Sequence, residues 1–66
     1  MHLTSREKEI LHLIIEEEMS NSRIAKKLGI AIGTVDTHRK KLLQKFDVSN
    51  SVGLTKRAIR MNIIRV

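Results

Sequence analysis

Residues 20–46, SNSRIAKKLGIAIGTVDTHRKKLLQKF, constrain the fold of this chain more than any other stretch. Ile24, Ala25 and Leu28 recur at the spacing of one helix face. The run then stops at Gly29, the residue type best able to take the left-handed backbone that ends a helix. Val35, Leu42 and Phe46 restart the pattern at intervals of seven and four residues. Two short amphipathic helices joined by a Gly-containing turn form a helix-turn-helix unit. Proline is absent from the 66 residues and glycine occurs three times, so composition also favours helices over hairpins.

Two further helices flank this unit. Thr4 and Glu7 make the capping box T-x-x-E, in which each side chain satisfies the other residue's backbone N–H. Ile10, Leu11, Leu13, Ile14 and Ile15 follow almost without interruption, which predicts a helix over residues 5–17 and makes it the most buried of the set. Glu16, Glu17 and Glu18 at its end oppose the helix dipole. The second helix is expected to start from a cap at Ser20 or Asn21 and to run to Leu28, with Ile30 carrying the turn into the core. The third should span residues 32–46. Ala31 occupies its cap position without a hydroxyl, and Gly33 is expected to take over part of that role. Asp47, Val48 and Ser49 read as a linker. Asn50 or Ser51 then caps a last helix through Leu54, Ala58 and Ile59, which Asn62 ends in the left-handed region before Ile63 and Ile64 return to the core. The expectation is an all-α, four-helix compact domain over residues 1–66, with the helix-turn-helix at about 20–46.

Length and composition exclude several classes of function. A chain this short buries only about 60% of its unfolded surface, which leaves little room for a catalytic pocket beside the core. No nucleophile–base pair and no phosphate-cradling Gly loop is visible, so the chain does not read as an enzyme and implies no cofactor. Without cysteine there are neither disulfides nor thiolate metal sites. His2 and His12 have no partners at metal spacing, so no metal is expected. The longest apolar run is Leu13 to Ile15, against the roughly 20 residues of a membrane span. No membrane partner and a cytoplasmic location are therefore expected. One aromatic, Phe46, argues against a base-stacking platform for single strands.

Charge points to a partner. Up to Glu18, two cations face five carboxylates, net −3; from Met19 on, eleven Lys and Arg face Asp36 and Asp47, net +9. Such polarity on a small domain is the footprint of a polyanion. At about 100° per residue, Val35, Leu42 and Phe46 share one stripe of the third helix, while Asp36, Thr37, Lys40, Lys41 and Gln44 lie on the side away from it. Lys donates to guanine O6 and N7, Gln pairs with adenine, a Thr methyl touches a thymine methyl, and Asp accepts from cytosine N4. Lys26 and Lys27 read as ordinary solvated cations. On the last helix, Val52, Thr55, Lys56 and Ile59 fall on one face at offsets of three, four and seven.

These residues carry a resemblance. Leu3-Thr4-x-Arg6-Glu7-x-Glu9-Ile10-Leu11, then Ser20-Asn21-x-x-Ile24-Ala25-x-x-Leu28-x-Ile30, then Thr34-Val35-x-x-His38 with Leu42, Lys45, Phe46 and Val48, resemble the DNA-binding domain of LuxR/FixJ/NarL-type bacterial transcription regulators. The likeness covers essentially the whole chain. It departs at Asp36, where a basic residue is common, at Glu18, where a glycine often ends the first helix, and at Ala31, which lacks the capping hydroxyl.

The resemblance implies the C-terminal output domain of a longer regulator, with the recognition helix at about 32–46 in the major groove of double-stranded DNA. By position, Asp36, Thr37 and Lys40 would read bases. Asn21, Thr34, His38, Arg39, Lys41, Gln44 and Lys45 would contact the backbone or support such contacts, with packing at the helix seam an equal role for His38. A homodimer on DNA would form through the last helix, at Val52, Thr55, Lys56 and Ile59. A second layout stays open: the promoter-reading region of bacterial sigma factors shares L-T-x-R-E and T-V-x-x-H, and would add RNA polymerase as a partner.

Overall fold

A computed structural model describes residues 2–63. Its helices are α1 (Ser5–Ile15), α2 (Asn21–Leu28), α3 (Ile32–Lys45) and α4 (Ser51–Arg60). Among the described residues there is no strand, so the all-α expectation holds. Three of the four starts are capped by a side chain. The Thr4 hydroxyl accepts from the Glu7 N–H while Glu7 accepts from the Thr4 N–H, completing the box. Ser20 accepts from the Arg23 N–H, and Asn50 from the Gly53 N–H.

The core is one cluster drawn from every helix. Leu3, Ile10, Leu11, Leu13 and Ile14 come from α1 and its approach, Ile24 and Ala25 from α2, Val35, Leu42 and Phe46 from α3 and its end, and Leu54 and Ala58 from α4. Helix α1 carries the most buried positions, as its near-continuous apolar run requires. Ile30 and Val48 pack from the connections against the same cluster.

Helix ends follow one device. Gly29, Asp47 and Asn62 take φ of 67°, 56° and 59°, and the next residue's N–H returns to a carbonyl five residues back: Ile30 to Ala25, Val48 to Leu43, Ile63 to Ala58. Each left-handed residue turns the chain sharply and lets an orphan carbonyl of the last turn accept a bond. The Gly29 and Asn62 turns match the sequence reading. Asp47 does not behave as a simple linker; it is the left-handed stop of α3.

Further expectations require correction. Helix α1 ends at Ile15 rather than at residue 17: the Glu16 N–H still bonds the His12 carbonyl, but Glu18 turns left-handed at φ 51° and the Met19 N–H reaches back to Leu13. A residue with a Cβ is strained there by about 1–3 kcal/mol. Phe46 lies just past the last turn of α3 as its end residue, fully buried. At the start of α3, no side chain caps the helix, as the missing hydroxyl of Ala31 predicts, and the Thr34 and Val35 N–H groups both bond the Ala31 carbonyl. Ile63 does not enter the core: its backbone closes the α4 turn while its side chain stays 41% exposed. Ile64 lies outside the described residues.

Candidate nucleic-acid interface

The α2–turn–α3 unit presents α3 with one face sealed. Val35 and Leu42 are wholly buried and Phe46 almost so, which places the apolar stripe where its periodicity predicts. Of the residues on the other side, Thr37, Lys40, Lys41 and Gln44 are exposed and Asp36 is half-buried. Thr34 is exposed in the first turn. The structure thus brings the expected base-reading set, Asp36, Thr37 and Lys40, onto one outward face.

All three are already bonded within the chain. Asp36 Oδ2 stands 2.9 Å from Lys40 Nζ, one turn on, with both side chains largely in solvent. An exposed pair of this kind contributes only about 0.2–0.5 kcal/mol to the helix, so it orients the two side chains more than it stabilises the fold. The Thr37 hydroxyl donates to the Gly33 carbonyl at 3.0 Å, which commits its proton to the helix's own backbone. The outward face of α3 therefore carries one carboxylate–ammonium pair, the Lys41 ammonium and the Gln44 amide.

Arg39 has another task. Its Nη1 donates to Asn21 Oδ1 at 3.0 Å, and its Nη2 donates to the Ser51 hydroxyl. A single half-buried guanidinium thus joins the first residue of α2, the middle of α3 and the first residue of α4. Asn21 and Arg39, both in the expected backbone-contacting or supporting set, are here bonded to each other. The sequence marks Ser51 only as a cap candidate; its bond to Arg39 spans twelve residues, and no local pattern signals it.

Lys45 is also occupied. Its ammonium lies 2.7 Å from Glu7 Oε1 and donates to the His2 carbonyl at 3.1 Å. Glu7 is almost fully buried. The Lys45 ammonium, and next the Thr4 N–H, hold its carboxyl at a pKa of about 2, against the opposing effect of burial. The capping box of α1 is thereby bolted to the last turn of α3. Arg57 completes that end, donating from Nε to the Phe46 carbonyl at 3.1 Å. The Arg57 contact also escaped the sequence reading.

His38 sits one turn from both Val35 and Leu42, half-buried, and its Nδ1 is enclosed with no hydrogen-bond partner among the described residues. On α4, Val52 and Ile59 are 64% and 39% exposed and Lys56 is exposed, while half-buried Thr55 bonds back to the Ser51 carbonyl. The four residues of the expected pairing face therefore share one side of α4, away from the core residues Leu54 and Ala58. Cations cluster on the same elements: Lys26 and Lys27 on α2 and Lys40 and Lys41 on α3 are all exposed. Among the described residues, no helix is long and apolar enough to cross a membrane, and no group of three His, Asp or Glu could hold a metal ion.

Known proteins share this pattern. The family of bacterial regulatory proteins called luxR, or GerE, matches residues 1–58. The uncharacterized response regulatory protein YgeK of Escherichia coli is 41% identical over 64 residues, 97% of this chain and 43% of that protein. The transcriptional regulatory protein MctR of Rhizobium johnstonii is 42% identical over 62 residues, 94% of this chain and 28% of that one. The probable transcriptional regulator ycf29 of Porphyra purpurea is 38% identical over 64 residues, 97% of this chain and 30% of its own length. No solved structure matches the chain. The chain spans less than half the length of these curated relatives. Because the family match runs from the first residue through most of α4, the chain belongs to the luxR family of bacterial regulatory proteins.

Proposed function

We propose that this chain is the sequence-specific, double-stranded-DNA-binding output domain of a longer bacterial transcription regulator, acting in the cytoplasm with α3 in the major groove. The observation that carries the reading is the division of α3 into two faces. Val35, Leu42 and Phe46 are sealed against the core, while Thr37, Lys40, Lys41 and Gln44 stand in solvent beside Asp36. A helix held from behind with donors and an acceptor in front is the form that major-groove reading requires. In this reading Asp36, Thr37 and Lys40 approach base edges. Lys41, Gln44 and Thr34 serve the phosphate backbone, and Asn21, His38, Arg39 and Lys45 hold α3 in place. Two copies pair on DNA through Val52, Thr55, Lys56 and Ile59. The relatives' names, response regulatory protein and transcriptional regulator, favour this role over a sigma-type module.

A fluorescence-anisotropy titration with labelled duplex tests it. Lys and Arg that neutralise phosphates release counterions, so affinity should fall steeply between about 50 and 200 mM salt. Absence of duplex binding even at the low-salt end would remove the proposal.

A further inference from the structure

We infer that Asp36 and Lys40 read one C·G base pair as a unit, a reading that rests on the proposed DNA-binding function. The carboxylate and the ammonium lie 2.9 Å apart, one turn from each other, with side chains 48% and 72% exposed. An acceptor and a donor are thus presented side by side on the outward face of α3. The major-groove edge of a base pair offers the complement. Its amino group and carbonyl oxygen are hydrogen-bonded to each other, so donor and acceptor there also stand about 2.9–3.0 Å apart. Laid against that edge, Asp36 accepts from the amino group while Lys40 donates to the carbonyl. Neither charge loses its partner on entering the groove, which avoids the cost of desolvating an isolated ion.

Two base pairs present such an edge, and the flanking atoms distinguish them. On C·G, guanine N7 sits beside O6 and gives the ammonium a second acceptor, while cytosine N4 has only a C–H beside it. On A·T, adenine N7 sits beside the N6 amino group and repels the carboxylate, and the thymine methyl crowds the approach of the ammonium to O4. Both flanks favour C·G. The neighbouring side chains do not compete for this guanine. Arg39, the residue type best shaped for it, is held by Asn21 and Ser51, and the Thr37 hydroxyl proton is given to Gly33.

The test is selection of bound duplexes from a random pool by the wild-type chain, Asp36→Asn and Lys40→Met, with thermal melts confirming that these exposed substitutions leave the fold intact. The wild type should enrich a C·G pair at one position of each half-site, and both variants should relax that same position by on the order of tenfold. Replacing its guanine by 7-deazaguanine should then weaken the wild type and leave Lys40→Met unchanged. Variants that relax different positions, a shared position that is A·T, or variant motifs identical to the wild type's would each overturn the inference while leaving DNA binding intact. A wild-type chain that enriches no duplex would overturn the DNA-binding reading itself, and this inference with it.

Discussion

The two ends of α3 are held very differently. At its C-terminal end, Phe46 is buried, Lys45 is paired with the enclosed Glu7, Arg57 bonds the Phe46 carbonyl, and Asp47 turns the chain so that Val48 bonds back to Leu43. At its N-terminal end, Ala31, Ile32, Gly33 and Thr34 are all exposed and no side chain caps the helix. Arg39, midway, ties the helix to the starts of α2 and α4. Such asymmetry suits the proposed entry of α3 into the major groove. The long-range polar anchors gather at the C-terminal end and the middle of α3, while its leading turns are held to the core through Val35 and otherwise stand in solvent.

The largest expected effect lies at the anchored end. Phe46 fills the junction of α3 with the rest of the core, so Phe46→Ala should cost about 3–5 kcal/mol. That is a large share of the roughly 5–15 kcal/mol that holds a domain folded. A variant that melts with the wild type would mean that α3 is not anchored through this residue.

Next is the Glu7–Lys45 bolt. Removing its charge by Glu7→Gln weakens a charge-assisted bond and half of the capping box, an expected loss of about 1.5–3 kcal/mol. The pH dependence has a definite sign. The folded-state pKa of about 2 lies below the ordinary 4.5, so the stabilisation is complete above about pH 4.5 and disappears as pH falls through about 2. Acid titration of the melting temperature should show that limb in the wild type and a shallower one in Glu7→Gln. Superimposable acid limbs would show that the pair contributes nothing net.

Arg39 tests whether the middle of α3 is anchored or probing. Arg39→Met should cost about 1–2 kcal/mol of stability, since both of its charge-assisted bonds are only partly buried. If it positions α3, the uncharged double variant Asn21→Ala/Ser51→Ala should reproduce its loss of duplex affinity with the salt dependence unchanged. If it touches a phosphate instead, Arg39→Met alone should lower the salt slope by roughly one.

This contrast also explains what could be read from the amino acids alone. The Thr4–Glu7 box, the Ser20 cap, the Gly29 and Asn62 turns and the buried stripe of α3 all depend on residues within one or two turns of each other. Helical periodicity exposes such relations directly. The bonds that anchor α3 are of another kind: Lys45 reaches Glu7 across 38 residues, Arg39 reaches Ser51 across 12, and Arg57 reaches Phe46 across 11. Nothing local marks them, because they exist only once the helices have packed. Ile63 misled for a related reason. Its apolar character suggested core, but the turn at Asn62 leaves that side chain over the surface.

The smallest expected effect lies at the free end. Ala31 already has the extended backbone of a cap residue, φ −68° and ψ 145°, close to Thr4 at −71° and 163° and Ser20 at −70° and 162°. Only the side-chain oxygen is missing. Both of those caps accept from the N–H three residues on, so a serine at this position would be offered the Thr34 N–H. That group is not idle, since it bonds the Ala31 carbonyl at 3.0 Å, and the new acceptor would partly replace an existing bond. The gain from Ala31→Ser should therefore sit at the low end of the capping range, about 0.5–1 kcal/mol, read as a rise of a few degrees in melting temperature. The hydroxyl would face the helix's own amide rather than the groove, so duplex affinity should stay within about twofold, well under the tenfold that 1.4 kcal/mol represents. An unchanged melting temperature would mean that the first turn of α3 is already satisfied, and the contrast between its two ends would then be one of exposure alone.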